Sequence, residues 1–423
     1  MFKPVRASTP SKPVIAPIIA IVSKQRLTGS NNGSSAYLIA LAKTMRDAGF
    51  AVNLIQPSPA IAGRTPILKM MPEMSVFGRH RIRRGLRIGR FVLVLDPIVL
   101  MLALLGGARL AARRLGLPDS WTKDQPRPHS VGTPWTEGEK RFARKMIPDT
   151  ACVVVADYVF AAPVLSCAPD HAAKMIVMHD LFHARDGGGQ DSVAQLSRDK
   201  ELALLGMGDA IVTIQQDEHA FIERELAGKR ALLAPMPARP VDRSAPGDPD
   251  RLLFVGSNTA PNTAGLAWFL DDVWPAIKRS RPATRLDVVG SVCRSLSGAI
   301  TPEGVVAHGV VPELADFYAS AGIVISPLKF GSGLKIKLVE AMAYGKAAVV
   351  TSTTLQGVEA LCQSSVALAD SADAFARAVL HLQTDNEARA ALAESARQCA
   401  NTHFSSQSVH RELRSWLEAQ LDA

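Results

Sequence analysis

The sequence is poor in aromatic residues and in cysteine. Aromatic side chains make up 5% of its 423 residues, and five cysteines are present. They form no Cys-x-x-Cys pair, and no group of cysteine and histidine has the spacing of a zinc site. These absences exclude a disulfide scaffold and a structural zinc site, so we expect reduced, buried thiols in a cytoplasmic protein.

Long apolar runs are also missing. The run Phe91–Leu105 is shorter than the roughly 20 residues that a membrane-spanning helix needs, and Asp96 and Pro97 interrupt it. The N-terminal run Val14–Val22 contains Pro17 and lacks a small-residue cleavage site. We therefore predict that it is a first strand and not a signal peptide.

Acidic residues are too few in the first half of the chain to balance the basic ones. Residues 1–246 carry a formal excess of twelve positive charges, whereas residues 247–423 carry a small negative excess. Six arginines and no acid lie in Arg79–Arg90, directly before Phe91–Leu105. We interpret these two segments together as an element that lies in the interface of an anionic membrane surface, on the inner face of the membrane. The apolar run would enter the interface, and the arginines beside it would contact the anionic head groups.

A buried helix beside a solvated basic loop is the alternative interpretation of this segment. Nucleic acid is a weaker candidate as the anionic partner. Aromatic residues do not alternate with the arginines, so stacking on nucleic-acid bases has no support, and we predict no nucleic-acid partner.

The sequence does have a repeating pattern of strands and helices. Nearly continuous apolar runs are typical of parallel strands covered on both faces. The pattern predicts an α/β fold with two Rossmann-like, doubly wound domains facing a cleft. The predicted strands are Ile18–Ser23, Ala51–Ile55, Val153–Ala156, Met175–His179, Ala210–Ile214, Arg251–Ser257, Arg285–Gly290, Val305–Val311, Gly322–Pro327, Ala347–Ser352 and Ser365–Ala369.

A proline-rich segment, Met236–Asp250, divides the pattern into two halves. The predicted organisation is an N-terminal domain over 1–240 with a basic and apolar insertion at 79–116, a linker over 241–250, a second domain over 251–404, and a C-terminal helix over 405–423 that packs back toward the first domain.

The most informative stretch is Gly322–Glu359, where a glycine turn joins a strand to a helix that begins near Leu334. Glycines at such a turn let backbone N–H groups approach an anion, and the helix dipole favours phosphate. Lys335 and Lys337 add positive charge, and Glu340 can accept hydrogen bonds from sugar hydroxyls. A diphosphate with a ribose would fit this pattern, although an ordinary connection with a surface glutamate would also produce it.

The same stretch resembles the donor-site signature of the retaining family-4 glycosyltransferases, which have the GT-B fold. That signature reads Pro-x-x-x-Gly-x-Gly-x-x-x-Lys-x-x-Glu-Ala-Met-Ala-x-Gly, and the chain matches it from Pro327 to Gly345. Phe254–Ser257 resembles the first strand of the family's donor domain, and Val306–Val311 resembles the strand beside the nucleotide base. The resemblance implies transfer of a sugar, with retention, from a nucleotide-sugar to a glycan or lipid-linked acceptor.

The resemblance also implies a set of donor-binding residues, with the Glu340 carboxylate on the ribose hydroxyls. That set is Gly256, Ser257, Asn258, Gly309, Val310, Gly331, Ser332, Gly333, Leu334, Lys335, Lys337 and Glu340. Many family members carry a second glutamate where this chain has Ser332. A catalytically inactive protein of the GT-B fold, which binds nucleotide-sugar or has a regulatory role, is therefore kept as the alternative function.

The resemblance implies that the first half is the acceptor-side domain, with an acceptor-side loop and two catalytic residues, His179 and Asp180. Both follow an apolar strand, and the resemblance implies that the histidine points toward the transferring sugar. The acceptor-side residues are Gly29, Ser30, Asn31, Asn32, Gly33 and Arg185.

The family also implies that no metal and no other cofactor is required, since the nucleotide-sugar is a co-substrate. The one Asp-x-Asp of the second half, Asp248–Asp250, lies in the predicted linker and is not expected to bind a metal ion.

Overall fold

The computed structural model describes residues 16–30, 33–63, 65–115, 130–184, 196–296, 301–330 and 336–421. The chain forms two compact units. Unit 1 holds residues 1–235 and 410–423, and unit 2 holds residues 236–409. The C-terminal residues therefore belong to the same unit as the N-terminal ones.

Unit 1 is built on a parallel sheet of the order β10-β9-β8-β7-β1-β2-β4, and a small antiparallel sheet of the order β3-β6-β5 accompanies it. The strands are β1 Ile18–Ser23, β2 Ala51–Gln56, β3 Ile67–Lys69, β4 Arg79–Ile82, β5 Gly85–Ile88, β6 Phe91–Val94, β7 Ala151–Asp157, β8 Ala173–Val177, β9 Ala210–Thr213 and β10 Arg230–Leu233. The helices of this unit are Gly33–Asp47, Pro97–Arg114, Glu137–Met146, Arg198–Leu205, Gln216–Glu225 and Arg411–Ala419.

Unit 2 has a second parallel sheet, of the order β13-β12-β11-β14-β15-β16. Its strands are β11 Asp248–Val255, β12 Arg285–Val289, β13 Val305–Gly309, β14 Ala321–Ser326, β15 Ala347–Val350 and β16 Ala367–Leu368. Its helices are Ala260–Trp268, Trp274–Ser280, Ala315–Ser320, Ile336–Ala343, Ser352–Leu355, Glu359–Cys362, Ala372–Thr384, Asn386–Phe404 and Ser406–Val409.

These two parallel sheets confirm the predicted fold class. The central strands are buried along nearly their whole length, as the continuous apolar runs predict, because helices cover both faces of each sheet. In a parallel sheet all carboxyl ends lie at one edge, so the loops after the strands of each unit are brought together there.

The segment Arg79–Leu105 does not fold as a basic loop followed by one apolar helix. The arginine-rich segment supplies β4 and β5, and the apolar run divides into β6 and the helix Pro97–Arg114. The division occurs at Asp96, whose carboxylate accepts hydrogen bonds from the N–H groups of Ile98 and Val99. An acidic cap followed by proline in the first turn is a helix start, which the hydropathy pattern alone did not reveal.

The helix Pro97–Arg114 contradicts the alternative prediction, a buried helix. Val99 and Leu102 are buried, but many large apolar side chains of this helix and of the β5–β6 hairpin are exposed. They are Leu86, Ile88, Phe91, Leu95, Ile98, Leu100, Met101, Leu104, Leu105 and Leu110. We call this set the exposed apolar face. In the part of the chain that the structure describes, no helix is long and apolar enough to cross a bilayer.

The predicted linker is shorter than expected because β11 begins at Asp248, which pairs in register with Ala321 of β14. Gly247 has a φ of +67° and lies so close to the Ala321 carbonyl that a Cβ atom there would be 2.0 Å from its oxygen. Only glycine fits this crossing, so strand pairing extends into the proline-rich segment.

The predicted C-terminal helix is interrupted at His410. The buried His410 ring has one nitrogen 2.6 Å from the Thr44 hydroxyl and the other 2.9 Å from the Pro235 carbonyl oxygen. Two residues later, Glu412 accepts a hydrogen bond from the backbone N–H of Leu233 in the edge strand β10. These contacts hold the C-terminal helix Arg411–Ala419 against unit 1.

We predict that His410 makes unit 1 sensitive to acid. Burial lowers the pKa of His410 to about 4, below the ordinary value near 6.5. As pH falls, His410 therefore takes up a proton at a higher pH in the unfolded chain than in the folded chain, and this favours unfolding. The stability that His410 contributes is complete above about pH 6.5 and is lost toward pH 4, by about 3 kcal/mol in total.

The measurement is urea unfolding between pH 7 and pH 4 for wild type, His410→Gln and a control, His403→Gln, at an exposed position. His410→Gln should be less stable at pH 7 but should lose less stability on acidification. An equal pH slope for wild type and His410→Gln would disprove the assignment.

Candidate functional site

Three strands of unit 2 end in glycine-containing turns at one edge of the sheet. The N–H of Gly256, after β11, donates to the Val289 carbonyl at 2.9 Å, and the N–H of Gly290 donates to the Gly309 carbonyl at 2.7 Å. A Cβ atom at Gly290 would lie 2.1 Å from the Gly256 oxygen. The backbones of these turns are therefore in close contact and hold one another in place.

The predicted donor residues next to these glycines lie at the same edge. The N–H of Asn258 donates to the Ser291 hydroxyl at 2.9 Å, and the Asn262 side chain donates to the Ser257 carbonyl at 3.0 Å. Val310 is 74% exposed directly after β13. The structure thus brings the predicted residues at positions 256–258 and 309–310 together around the ends of adjacent strands.

The glycine turn of the signature is only partly described. Gly331, Ser332, Gly333, Leu334 and Lys335 lie outside the described residues. The residues just before the turn are held by contacts with other parts of unit 2. The Thr351 hydroxyl donates to the Leu328 carbonyl at 2.5 Å, and the Lys329 ammonium lies 4.2 Å from the centre of the Trp268 ring.

Lys337 and Glu340 lie one helical turn apart in the helix Ile336–Ala343. The Lys337 ammonium donates to a Glu340 carboxylate oxygen at 2.5 Å, and both side chains are partly exposed. Tyr318 and Tyr344 stack with ring centres 4.4 Å apart, and burial together with the Glu340 charge raises the pKa of both phenols. The Glu340 carboxylate is therefore held by a cation and remains accessible to a ligand.

In unit 1, a buried carboxylate connects the ends of three adjacent strands. Asp157 ends β7 and accepts hydrogen bonds from the Ser23 hydroxyl at 2.5 Å and from the Gln25 amide at 2.7 Å. Its other oxygen lies 2.7 Å from Nε2 of His179, which follows β8. Asp157 thus fixes the orientation of the His179 ring and directs its other ring nitrogen away from the carboxylate.

The backbone at this point is in an uncommon conformation. His179 and Tyr158 have positive φ values, of +65° and +75°. Residues other than glycine rarely adopt such a backbone conformation. Their rings stack with centres 3.9 Å apart, and the Tyr37 ring meets the His179 ring edge-on. Strain of this kind persists only where the surroundings over-determine the conformation, and it is often found at functional sites.

The predicted strand Met175–His179 therefore ends earlier than expected, at Val177, because His179 turns out of the sheet. Asp180 accepts a hydrogen bond from the N–H of Leu181. Burial raises the pKa of Glu218, and the charge of Asp180 adds to this effect. His179 thus lies in a region rich in carboxylates.

The predicted acceptor-side loop follows β1 and contacts the turn Pro72–Val76. A Cβ atom on Gly29 would lie 2.7 Å from the Met71 side chain, and the N–H of Ser30 donates to the Glu73 carboxylate at 3.0 Å. Gly33 is not a loop residue but the first residue of the helix Gly33–Asp47. Asn31, Asn32 and Arg185 lie outside the described residues.

The described residues contain no group of three or more metal-ligating side chains close enough to hold a metal ion. Asp250 instead forms a bidentate ion pair with Arg281, at 2.8 and 3.0 Å.

Sequence reasoning missed Asp157, Tyr158, Ser23 and Gln25. A usable signal existed for Asp157, because it directly follows the predicted strand Val153–Ala156, at the edge of the sheet where side chains of neighbouring strand ends meet. The stacking of Tyr158 on His179 depends on the backbone turn at both residues and has no sequence signature.

Comparison with known proteins agrees with this geometry. Residues 249–385 match the model of a family described as glycosyl transferases group 1. This part of the chain is similar to the group 1 glycosyl transferases. The match covers nearly all of the unit 2 sheet and the helix with Lys337 and Glu340.

A curated relative is 26% identical to this chain over 140 residues, an uncharacterized 44.6 kDa protein in the cps region of Klebsiella pneumoniae. The match covers 31% of this chain and 36% of that relative, so it spans about a third of each.

Solved GT-B glycosyltransferases share the fold over nearly the whole chain. Sucrose-phosphate synthase from Thermosynechococcus elongatus is 15% identical with a TM-score of 0.56, covering 96% of this chain and 99% of that one. TarM from S. aureus, in complex with UDP and alpha-GlcNAc-glycerol, is 9% identical with a TM-score of 0.61, covering 95% and 99%. HepE from Anabaena, in complex with UDP, is 12% identical with a TM-score of 0.56, covering 95% and 100%. These structures show that the chain has the GT-B fold, and the family match is confined to unit 2.

Proposed function

We propose that the protein transfers a sugar, with retention, from a nucleotide-sugar to a glycan or lipid-linked acceptor. The observation that carries this proposal is the Lys337–Glu340 pair, on a helix that follows the signature turn in the region matched by the family model. A bacterial-type polysaccharide or glycolipid is the proposed product, in line with the cps region named for the Klebsiella relative.

Unit 2 is the proposed donor-binding unit. The turns at Gly256, Gly290 and Gly309 leave the ends of their strands open to a nucleotide, and the Glu340 carboxylate would accept hydrogen bonds from the ribose hydroxyls. HepE from Anabaena and TarM from S. aureus were both solved with UDP, which supports a nucleoside diphosphate as the ligand.

Bond cleavage between the sugar and the diphosphate develops negative charge on the leaving group. Lys337 and backbone N–H groups at the start of its helix would stabilise that charge more in the transition state than in the ground state. This arrangement supports a reaction that needs no metal ion. His179, oriented by Asp157, is the proposed catalytic residue of unit 1 and would bind the transferring sugar.

Attachment to an anionic membrane surface is the second part of the proposal. The exposed apolar face lies in the same segment as Arg81, Arg87 and Arg90, whose side chains are also exposed. Arginines attract anionic head groups, whereas apolar side chains favour insertion just below them. A lipid-linked acceptor would then be available at the surface where the enzyme is bound.

We expect Glu340→Ala to weaken UDP binding by roughly 1–3 kcal/mol, the cost of losing a charge-assisted hydrogen bond. Titration calorimetry on the folded variant measures this effect. Glu387→Ala, at an exposed position of the same unit, is the matched control and should bind UDP as wild type does. Unchanged affinity of Glu340→Ala would remove Glu340 from the donor site.

We expect His179→Asn to lower the transfer rate by about 10- to 100-fold, because one hydrogen bond to the sugar is lost in the transition state. Asparagine tolerates a positive φ, so the backbone turn should be retained. UDP affinity should stay near that of wild type. His171→Asn, at an exposed site, is the control, and a wild-type rate in His179→Asn would refute the assignment.

The rate assay uses hydrolysis of UDP-sugars without acceptor, followed by transfer to an acceptor extract. Wild-type protein that binds UDP but releases no sugar in either assay would favour the inactive nucleotide-sugar-binding alternative.

We expect the triple variant Arg81→Gln/Arg87→Gln/Arg90→Gln to lose binding to anionic vesicles at low salt, since each arginine near an anionic leaflet contributes about 1 kcal/mol. Arg84 is left unchanged because it pairs with Asp96 at 2.6 Å. A second variant, Met101→Gln/Leu105→Gln, should weaken the binding that persists at high salt, since burial of apolar groups is not screened.

Vesicle co-sedimentation measures both effects. The matched control is Arg279→Gln/Arg285→Gln/Arg377→Gln, which removes the same charge from exposed positions of unit 2. Equal sedimentation of the control and the Arg81/Arg87/Arg90 variant would show that net charge alone, and not this surface, causes the binding.

A further inference from the structure

Unit 2 contains an open cavity of about 700 Å³ that the proposed donor site does not use. Its walls come from residues 242–246, from Gly322 and Gly345, and from the first half of the helix Asn386–Phe404. Gly322 and Gly345 lie at the start of β14 and just before β15. The cavity is therefore at the amino edge of the sheet, whereas Gly256, Gly290 and Gly309 follow the carboxyl ends of their strands.

One wall of the cavity is held in place by hydrogen bonds from side chains to backbone. The Ser244 hydroxyl donates to the Gly345 carbonyl at 2.5 Å. The Lys346 ammonium donates to the carbonyls of Ala245 and Ala321, at 2.5 and 2.9 Å. These bonds fix residues 242–246 across the starts of β14 and β15, so the cavity is a preformed feature of the unit.

Two buried cations line the cavity without a carboxylate partner. Lys346 is 2% exposed, and its partners are neutral carbonyl oxygens. Arg389 is 8% exposed and donates to the Leu382 carbonyl and the Asn386 amide oxygen. The structure shows no ion pair for either cation within the described ranges. Burial lowers the pKa of Lys346 to about 8, which reflects the cost of an ammonium group with no counterion.

The remaining charged groups of the cavity leave it positive. Arg397 pairs with Glu394 at 2.7 Å, and Asp242 is the other acid in the lining. Arg243 is exposed at the cavity, and the structure gives it no ion pair with another described residue. Four basic and two acidic side chains thus line the cavity. A ligand that supplied negative charge would serve as counterion to Lys346, Arg389 and Arg243 together.

We propose that this cavity binds a small polyanion that carries phosphate groups, with Lys346, Arg389 and Arg243 as its counterions. Guanidinium groups donate two parallel hydrogen bonds to phosphate oxygens, and an ammonium adds a point charge. The volume is within the range of roughly 300–1,000 Å³ found for small-molecule sites. The site lies outside the proposed donor site and therefore goes beyond the proposed function.

Inorganic pyrophosphate is the probe for this site, measured by titration calorimetry on the full chain at pH 7. We expect Arg243→Gln and Lys346→Met each to lower pyrophosphate affinity at the cavity by about tenfold or more, the effect of one charge-assisted contact. Arg243 is exposed, so its variant should fold normally. Arg279→Gln is the control and should leave the affinity unchanged.

Pyrophosphate can also bind the proposed donor site. The variant Lys337→Gln/Glu340→Ala, which is altered at the donor site alone, distinguishes binding there from binding at the cavity. Pyrophosphate binding that survives in this protein and is lost on adding Arg243→Gln supports the cavity. Binding abolished by Lys337→Gln/Glu340→Ala alone, or unaffected by both cavity variants, would overturn the proposal. Failure of the proposed function has a different result: no UDP binding in wild type, with pyrophosphate binding at the cavity intact.

Discussion

The hydrogen bonds of the Asp157 carboxylate hold together the strand ends that form the candidate site of unit 1. The carboxylate receives hydrogen bonds from Ser23 and Gln25 and lies against His179, so one buried group joins the ends of β1, β7 and β8. A buried carboxylate is stable only when such partners replace water. The loop after β1 and the histidine turn after β8 are therefore positioned by the same anion, although neither is adjacent to it in sequence.

Unit 2 positions its strand ends by a different means. Where Gly256, Gly290 and Gly309 meet, backbone N–H and carbonyl groups bond directly across the gaps. Side chains add to these bonds, since the Ser291 hydroxyl accepts from the N–H of Asn258 and the Asn262 side chain donates to the Ser257 carbonyl. The carboxyl edge of the unit 1 sheet is thus organised around a buried carboxylate, whereas in unit 2 the turn backbones bond directly to one another.

The sequence allowed prediction of both parallel sheets, because the periodicity of buried strands is local. It also pointed to Glu340 through the signature, and the structure shows Lys337 paired with it. The division of Phe91–Leu105 was missed, since it depends on the Asp96 cap and not on hydropathy. The contacts that Asp157 and Lys346 make could not be predicted from the sequence, because their partners lie more than a hundred positions away, such as Ser23 and Ala245.

The two edge strands of the unit 1 sheet determine whether two copies of the protein can pair edge to edge. An open edge strand offers unpaired backbone groups to a second molecule and can seed aggregation. At β10, the Glu412 side chain occupies the N–H of Leu233, so the C-terminal helix partly covers that edge. At β4, the exposed Arg79 and Arg81 would place like charges together if two such edges met. The arginines of this strand therefore favour separate molecules over a continuous sheet.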